Sequence, residues 1–506
     1  MTIPDISHVI DTCRVKESRY NPSTRIKELV TVWSSHASLT QRAGRAGRTN
    51  SGICWRLCSE KFADNCLLPH TVPEMARTPL DELILQIGLL FEHRKDEFES
   101  RAAKADDREG NRPWYAPGFK PHKFLSMTPT PPSERSLNQA CKHLLEVEAL
   151  KIVDCEDAAG EQSGPLYRLT PMGYHLARLP MDAKVGKLLI VGCLLGCLDN
   201  ALTIAAALSC SKSCFLPIFG ERMKSCAEER DALIENGFGG KDWVGGTVKG
   251  DLIAVIAAYR AWAEKEKHGR ETFCRGHALV SSSLREMEML RKQFFDLMVD
   301  AGFVSGSKGN SGSLDADDCN IAREDALLTS CCIVGGLYPN ICTLIRPMGP
   351  KDGGSLLTND SVSTCRPSSS SFQRTRIQRA SKSGKDAYAV YHSKHRSLGT
   401  EQNRLPVTFL SEVNFVSKFA LLLFGGELEL VKNAIIVDKW LKFKVSRDED
   451  GGKLNAILVL SLRELLDKMI LEHVVEKDSC PLKKGKMDKR RNRIIGVVRR
   501  ILADEG

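Results

Sequence analysis

The stretch QRAGRAGR, residues 41–48, decides how the rest of the chain is read. Arg42, Arg45 and Arg48 stand three apart with only Ala and Gly between them. On a helix that spacing lines the guanidiniums along one face, because positions three and four apart are neighbours there. The intervening Gly and Ala leave room for a ligand to approach the backbone. Planar forks aimed at one spot suit a polyphosphate, since Arg pairs phosphate oxygens bidentately and does not lose its charge. A basic surface helix or an RNA-contacting one is the plainer alternative, but solvated charge runs rarely alternate so strictly with Gly and Ala.

Working outward, 506 residues predict several domains, and 42% hydrophobic content is enough for ordinary globular cores. A formal net charge of +9 suits a polyanionic partner without proving one. Secretory n- and h-regions are absent at the start, and no apolar run is long and clean enough to span a bilayer. A reduced intracellular compartment follows, cytoplasmic in the first instance, with nucleus or plastid left open. The 18 cysteines include pairs four apart, Cys54/Cys58, Cys193/Cys197 and Cys210/Cys214, with Cys226 nearby. Zinc ribbons prefer CxxC on turns, and the apolar 193–214 stretch reads as a buried helical hairpin, so free core cysteines and no metal are expected.

QRAGRAGR resembles motif VI of the DEAH-box (DEAH/RHA) RNA helicases, in which the second RecA-like lobe supplies arginine fingers to ATP bound on the first. The resemblance implies Arg45 and Arg48 as the fingers, with Gln41 and Arg42 facing the nucleotide cleft. In phosphoryl transfer such an arginine is worth ~10³–10⁵ in rate. The opening TIPDISHVIDTCRVKE resembles a segment that starts midway through motif V, with Cys13 where the family usually has Gly. By that likeness Thr2, Ile3 and Asp5 would lie at the ribose and RNA side of the cleft, Asp5 toward ATP and Thr2 toward RNA. A start in mid-motif leads to the expectation of a truncated gene product.

Residues 14–33, with the turn signal Asn21-Pro22, fit the family's β-hairpin bordering the RNA path and make Lys16 an RNA candidate. Residues 51–62 read as the last strand and turn of the lobe. Leu80, Leu83, Ile84, Ile87 and Leu90 then fall at helical spacing. From His93 to Pro117 the chain is charged and reads as an irregular, exposed insertion. Ser133 can cap a helix whose stripe runs through Leu137, Ala140, Cys141 and Leu144, and strand-like KIVDC and LYRLT frame a polar wing. The run LTPMGYHLARLPMDAKVGKLLIVGCLLGCLD, 169–199, resembles the helicase-associated region almost position for position. Gly186 there would let helices pack closely, and Lys187 would lie at the surface or on RNA.

Residues 200–303 are helical in pattern and resemble the family's ratchet bundle, with Tyr259 and Trp262 read as core. The Gly/Ser/Asp-rich 304–325 is expected to be a linker. CCIVGGLYPNICTLIRP opens an expected β-rich section similar to the family's OB-fold, interrupted by a Ser-rich loop at 351–386. VSKFALLLFGG, 416–426, is close to a family motif and is read as part of the strands, with Lys418 and Phe419 as candidate RNA contacts and a core role as the alternative for Phe419. The basic 483–500 is either a phosphate-neutralising or nuclear-address tail or a solvated helix end.

The expectation is therefore a multidomain α+β chain. It comprises a partial second RecA-like lobe (1–75), a winged helix (76–183) with a charged insertion (92–120) and a helical ratchet domain (184–303). A linker (304–325), an OB-fold β-barrel (326–475) and a basic tail (476–506) follow. The implied activity is that of the C-terminal part of an ATP-dependent RNA helicase moving 3′ to 5′ on single-stranded, sequence-tolerant RNA, with a ribosome or ribonucleoprotein as a further partner and no membrane. Neither GxxxxGK[ST] nor a DExH tetrad occurs in the sequence. ATP and Mg²⁺ would thus be used only by a complete enzyme, and the Mg²⁺ ligands are absent here. The alternative is a non-catalytic RNA- or ribosome-binding cassette or a dominant-negative short form.

Overall fold

The structure is a computed structural model that describes residues 6–21, 26–47, 51–102, 118–153, 165–210, 212–217, 224–239, 250–304, 318–344, 355–359, 364–368, 370–374, 377, 387–396, 407–431, 434–445, 451–476 and 487–503. The chain divides into two units, one holding 1–80, 120–140 and 161–164, the other holding the rest.

In the first unit β1 (His8–Asp11) pairs in parallel with β4 (Ile53–Arg56), placing Val9 opposite Cys54 and Ile10 opposite Trp55. Between them, β2 (Arg14–Asn21) and β3 (Ile26–Trp33) form an antiparallel hairpin in the register Arg14 to Trp33. The Arg14 guanidinium lies 4.2 Å from the centroid of the Trp33 ring it faces, a cation–π pairing across the strand ends. Helix α1 (His36–Ala43) begins at Ser35, whose side chain accepts the Ser38 N–H. Ser59 caps α2 (Glu60–Cys66) in the same way through Phe62 N–H. Cys13, Leu39, Ala63 and Leu67 form the small core under these helices, with Cys58 and Phe62 packed on it.

Helix α3 (Asp81–Ala102) buries Ile84, Leu85 and Ile87. It runs on through residues 93–102, where an irregular insertion was expected. Glu, Lys, Arg and Ala are good helix formers, so a helix already nucleated by its apolar turn extends through them. The remainder of the expected insertion, 103–117, lies outside the described residues. After α4 (Pro121–Leu125), α5 (Glu134–Glu146) buries the stripe Leu137, Ala140, Cys141 and Leu144. β5 (Leu150–Val153) and β6 (Leu166–Leu169) pair antiparallel.

The second unit continues as helices: α6 (Pro171–Arg178), α7 (Ala183–Leu195), α8 (Leu198–Ser209), α9 (Lys224–Asn236), α10 (Asp251–Ala263), α11 (Arg270–Gly276) and α12 (Ser281–Asp300). Asp182 caps α7 through Lys184 N–H, and Gly196 ends it at φ 74, a left-handed turn that glycine adopts without strain. α7 and most of α8 and α10 are buried all round, the pattern of helices at the centre of a bundle. Tyr259 and Trp262 are core residues, as read from their spacing. Cys193 and Cys197 are buried and outside any disulfide, and no group of three metal-ligating side chains occurs among the described residues.

Four expectations for this unit are corrected. The stretch read as opening a β-rich section begins instead with α13 (Ala326–Leu337), which is capped by Asp325 and buries Ala326 and every residue from Leu328 to Leu337. It lies against α7, where a Cβ on Gly336 would come within 2.4 Å of Leu188 Cβ; β-branched and apolar composition suits a buried helix as well as a strand. The end of the expected linker, 318–325, is not a linker: Asn320 is buried and its Oδ1 accepts the Asp199 N–H at 3.1 Å. Residues 305–317 lie outside the description. Lys418–Phe424, expected within the strands, is the helix α14, begun by Ser417 accepting the Ala420 N–H. The basic tail contains α16 (Met487–Ala503), which buries Val498 and Leu502 and is thus an amphipathic, packed helix.

Seven strands run in the order β13-β10-β7-β8-β9-β12-β11 within this unit. They are β7 (Ile341–Leu344), β8 (Leu356–Thr358), β9 (Cys365–Pro367), β10 (Tyr388–Val390), β11 (Ser393–Arg396), β12 (Thr408–Ser411) and β13 (Asn414–Val416). Pairing is antiparallel except between β9 and β12. Cys342, Leu356, Ala389, Tyr391, Leu410 and Val413 fill the core of this sheet. A separate meander, β14 (Leu428–Val431), β15 (Ala434–Val437) and β16 (Leu441–Lys444), precedes the long α15 (Gly451–Glu476). None of the described helices is long and apolar enough to cross a membrane.

Candidate functional site

The arginine segment is carried by α1 and the turn behind it. The helix ends at Ala43, and residues 44–47 continue as a tighter turn in which Arg45 N–H reaches Arg42 O at 3.1 Å. The expectation of one helix face for all the arginines is corrected accordingly: Arg42 is in the last helical turn, Arg45 in the turn, and Arg48 lies outside the described residues. Asp5 and Thr2 do too.

Arg42 and Arg45 occupy different environments. Arg42 is braced: its Nε lies 3.2 Å from Asp11 Oδ2, a charge contact that misses hydrogen-bond alignment, and its Nη1 donates to Arg14 O at 3.2 Å. Asp11 is buried, and its other oxygen accepts the Cys13 N–H at 2.8 Å. Cys13 takes φ 60, which turns the chain from β1 into β2 beneath α1. Arg45 is half-buried and its guanidinium makes no hydrogen bond or ion pair among the described residues. Gln41 is exposed on the same helix. An unengaged guanidinium beside glycines is a ready donor to an anionic oxygen, whereas Arg42 has its charge largely answered by Asp11. Arg45 is thus the arginine available to an anionic oxygen, and no described cluster of carboxylates could hold a metal ion.

The lysines proposed from the sequence separate in the same way. Lys16 is exposed on β2, and Lys418 is exposed with its Nζ 5.5 Å from the Phe419 ring centroid. Lys187 was expected at the surface or on RNA; it is instead buried on α7, with its Nζ 3.3 Å from Glu148 Oε2. It sits one residue after Gly186, which packs against Leu176 at a distance no Cβ would tolerate, so the backbone at this point is drawn into the core.

Sequence reasoning missed two acids. One is Asp11, the brace of Arg42; the only signal for it was an acid at the end of a strand just before the arginine-bearing segment. The other is Asp199, the last residue of the quoted GCLD. Asp199 is buried at the start of α8, in an ion pair with Arg291 and with Arg323 Nε at 3.2 Å from its Oδ2. Arg260, with its Nη2 2.9 Å from Asn200 Oδ1, stands beside them. Burial pushes the Asp199 carboxyl up, but the guanidiniums of Arg291, Arg323 and Arg260 outweigh it and hold it below the usual carboxylate range. This clamp ties α8, α10 and α12 to residues 318–325.

A family profile described as "Helicase associated domain (HA2), ratchet-like" matches residues 182–269, which hold α7 to α10. Over its full length the chain is 28% identical to a putative ATP-dependent RNA helicase, DHX57, of Mus musculus, of which it covers 34%. It is 29% identical over 95% of its length to the ATP-dependent DNA/RNA helicase DHX36 of Rattus norvegicus, covering 41% of that protein. Against the chloroplastic DExH-box ATP-dependent RNA helicase DExH4 of Arabidopsis thaliana it is 29% identical over its full length, covering 32%. The chain thus spans between 32% and 41% of the length of these curated relatives.

Proposed function

We propose that this chain, which belongs to the DEAH-box ATP-dependent helicases and corresponds to their C-terminal portion, grips single-stranded RNA and presents Arg45 as an arginine finger to ATP held on a separate nucleotide-binding lobe. The observation that carries this reading is the division of labour in the arginine segment. Arg42 is held by Asp11 and Arg14 O, while the Arg45 guanidinium is left without a partner among the described residues. A preorganised cation beside the γ-phosphate neutralises charge that grows in the transition state. Arg48 would be the second finger.

In this reading residues 6–80 are part of the second RecA-like lobe, α5 with β5 and β6 a winged helix, α7 to α12 the ratchet, and the seven-stranded run an OB-type barrel. Lys16 and Lys418, both exposed, are the proposed RNA contacts. Coupling of ATP hydrolysis to 3′–5′ movement would require the nucleotide-binding motifs that this sequence lacks. That lack favours the second reading for the chain acting alone, an RNA-binding cassette without turnover.

Titrating the purified chain with fluorescent single-stranded RNA at several salt concentrations tests the shared core of both readings. Affinity should fall linearly with salt on logarithmic axes, as phosphate neutralisation demands. Lys16→Ala and Lys418→Ala should each shallow that slope by ~0.7, while Arg45→Ala should leave it unchanged. No binding at low salt would overturn the proposal. ATP turnover by the chain alone would refute the assignment of Arg45 to a cleft completed elsewhere.

A further inference from the structure

Beneath α1, the Cys13 and Cys58 sulfurs are 3.3 Å apart, one at the turn between β1 and β2 and the other just before α2. The two thiols differ in access. Cys13 is fully buried in the core formed with Leu39, Ala63 and Leu67, while Cys58 is partly exposed at its edge. We propose that Cys13 and Cys58 form a reversible thiol–disulfide pair, an oxidation site built under the arginine helix.

A disulfide requires the sulfurs at about 2.05 Å, so closing the pair draws them together by about 1.2 Å. Only one partner can meet an oxidant from solvent, and that is Cys58. Burial first, and then the neighbouring Cys58, push the Cys13 thiol up to about 11, so Cys13 stays protonated until attack. With hydrogen peroxide as oxidant, the Cys58 thiolate attacks one oxygen and breaks the O–O bond, giving a sulfenic acid and hydroxide. The Cys13 sulfur then attacks the Cys58 sulfur and expels hydroxide, which leaves as water with the Cys13 proton. Two thiols and one peroxide become one disulfide and two waters.

A second close sulfur pair among the described residues lacks this asymmetry. Cys193 and Cys319 are 3.0 Å apart, but both are buried, so an oxidant reaches neither in the folded chain. The Cys13 pair also has somewhere to send its signal. Cys13 N–H is a hydrogen bond of Asp11, and Asp11 is the charge that holds Arg42. A thiol that takes φ 60, where glycine would be unstrained, and that underlies such a brace is well placed to report oxidation at the arginine segment.

The test is to treat the folded chain with hydrogen peroxide, block remaining thiols with N-ethylmaleimide, and digest with trypsin without reductant. Cleavage isolates Cys13 in the peptide ending at Arg14 and Cys58 in the peptide 57–61, apart from Cys54 and Cys66. The expected product is these two peptides joined with the loss of two hydrogens, and parted again by reductant. Cys13→Gly, which suits the backbone at that position and keeps the fold, should abolish the joined species and let Cys58 go on to sulfinic acid. Joining of Cys58 to any other cysteine, or Cys58 sulfinic acid in the unmutated chain with no joined peptide, would overturn the proposal. So would equal alkylation of Cys13 and Cys58 before and after peroxide.

Discussion

Two adjacent glycines on α13 should respond to the same substitution with opposite sign. A Cβ on Gly336 would lie 2.4 Å from Leu188 Cβ and 2.8 Å from Leu188 Cα, a backbone atom of α7 that cannot rotate away. A Cβ on Gly335 would meet Val191 Cγ1 at 3.3 Å and other atoms at 3.6 Å or more, near ordinary contact. Replacing either glycine by alanine in a helix interior gains about 1 kcal/mol of backbone propensity. At Gly336 that gain is opposed by overpacking, which costs typically about 1–3 kcal/mol and sits at the upper end when the clash is with backbone. Gly336→Ala should therefore lose about 1–2 kcal/mol net, and Gly335→Ala should be neutral or gain up to about 1 kcal/mol. The assay is the urea midpoint of each variant in the same background, with hydrogen exchange of the α13 amides to confirm that the change is local. If Gly336→Ala matched or exceeded Gly335→Ala, α7 and α13 would not approach as described and the helical assignment of this stretch would fail.

Arg42→Ala should destabilise the first unit by about 2 kcal/mol, reduced from the full cost of orphaning a buried partner because Arg42 is partly exposed. Arg45→Ala should stay within about 0.5 kcal/mol, and a thermal melt showing the reverse order would refute the division of roles. Asp199→Asn removes the charge that Arg291, Arg323 and Arg260 share and should cost about 3–5 kcal/mol in urea unfolding. Because the folded Asp199 carboxyl is held low, its contribution is complete above the unfolded value and should fade as pH drops below about 4. Burial, with the Asp251 carboxyl adding to it, raises Glu412 to about 8, and burial raises Asp251 to about 6 against the hydrogen bonds it accepts from Ser371 and the Val413, Phe372 and Gln373 backbone. Both bind a proton more tightly when folded, so stability should fall as pH rises from about 5 to 8, and Glu412→Gln should flatten the upper part of that dependence. Urea midpoints at intervals across that range check the sign.

The positions legible from sequence were those where local chemistry decides. Ser133 starts α5 because its side-chain oxygen accepts the otherwise unpaired Ser136 N–H, whatever lies around it. The hairpin of β2 and β3 and the buried stripe of α5 follow from period and turn signals. The arginine segment and 169–199 carried the resemblance to the DEAH-box helicases, since closely spaced motif residues leave a dense local signature.

Elsewhere the sequence alone determined composition, and only tertiary packing decided what it became. Residues 326–337 and 418–424 are apolar runs that suit a strand or a buried helix equally, and they are helices because α7 offers a groove into which Gly336 fits and Ser417 supplies a cap. Lys187 reads as a surface cation, yet the close approach at Gly186 carries it inward to Glu148. Arg42 and Arg45 are indistinguishable as letters in a repeat. Their surroundings diverge because Asp11, 31 residues before Arg42 in the chain, ends a strand directly beside it, and long-range electrostatic pairing of that kind leaves no local trace.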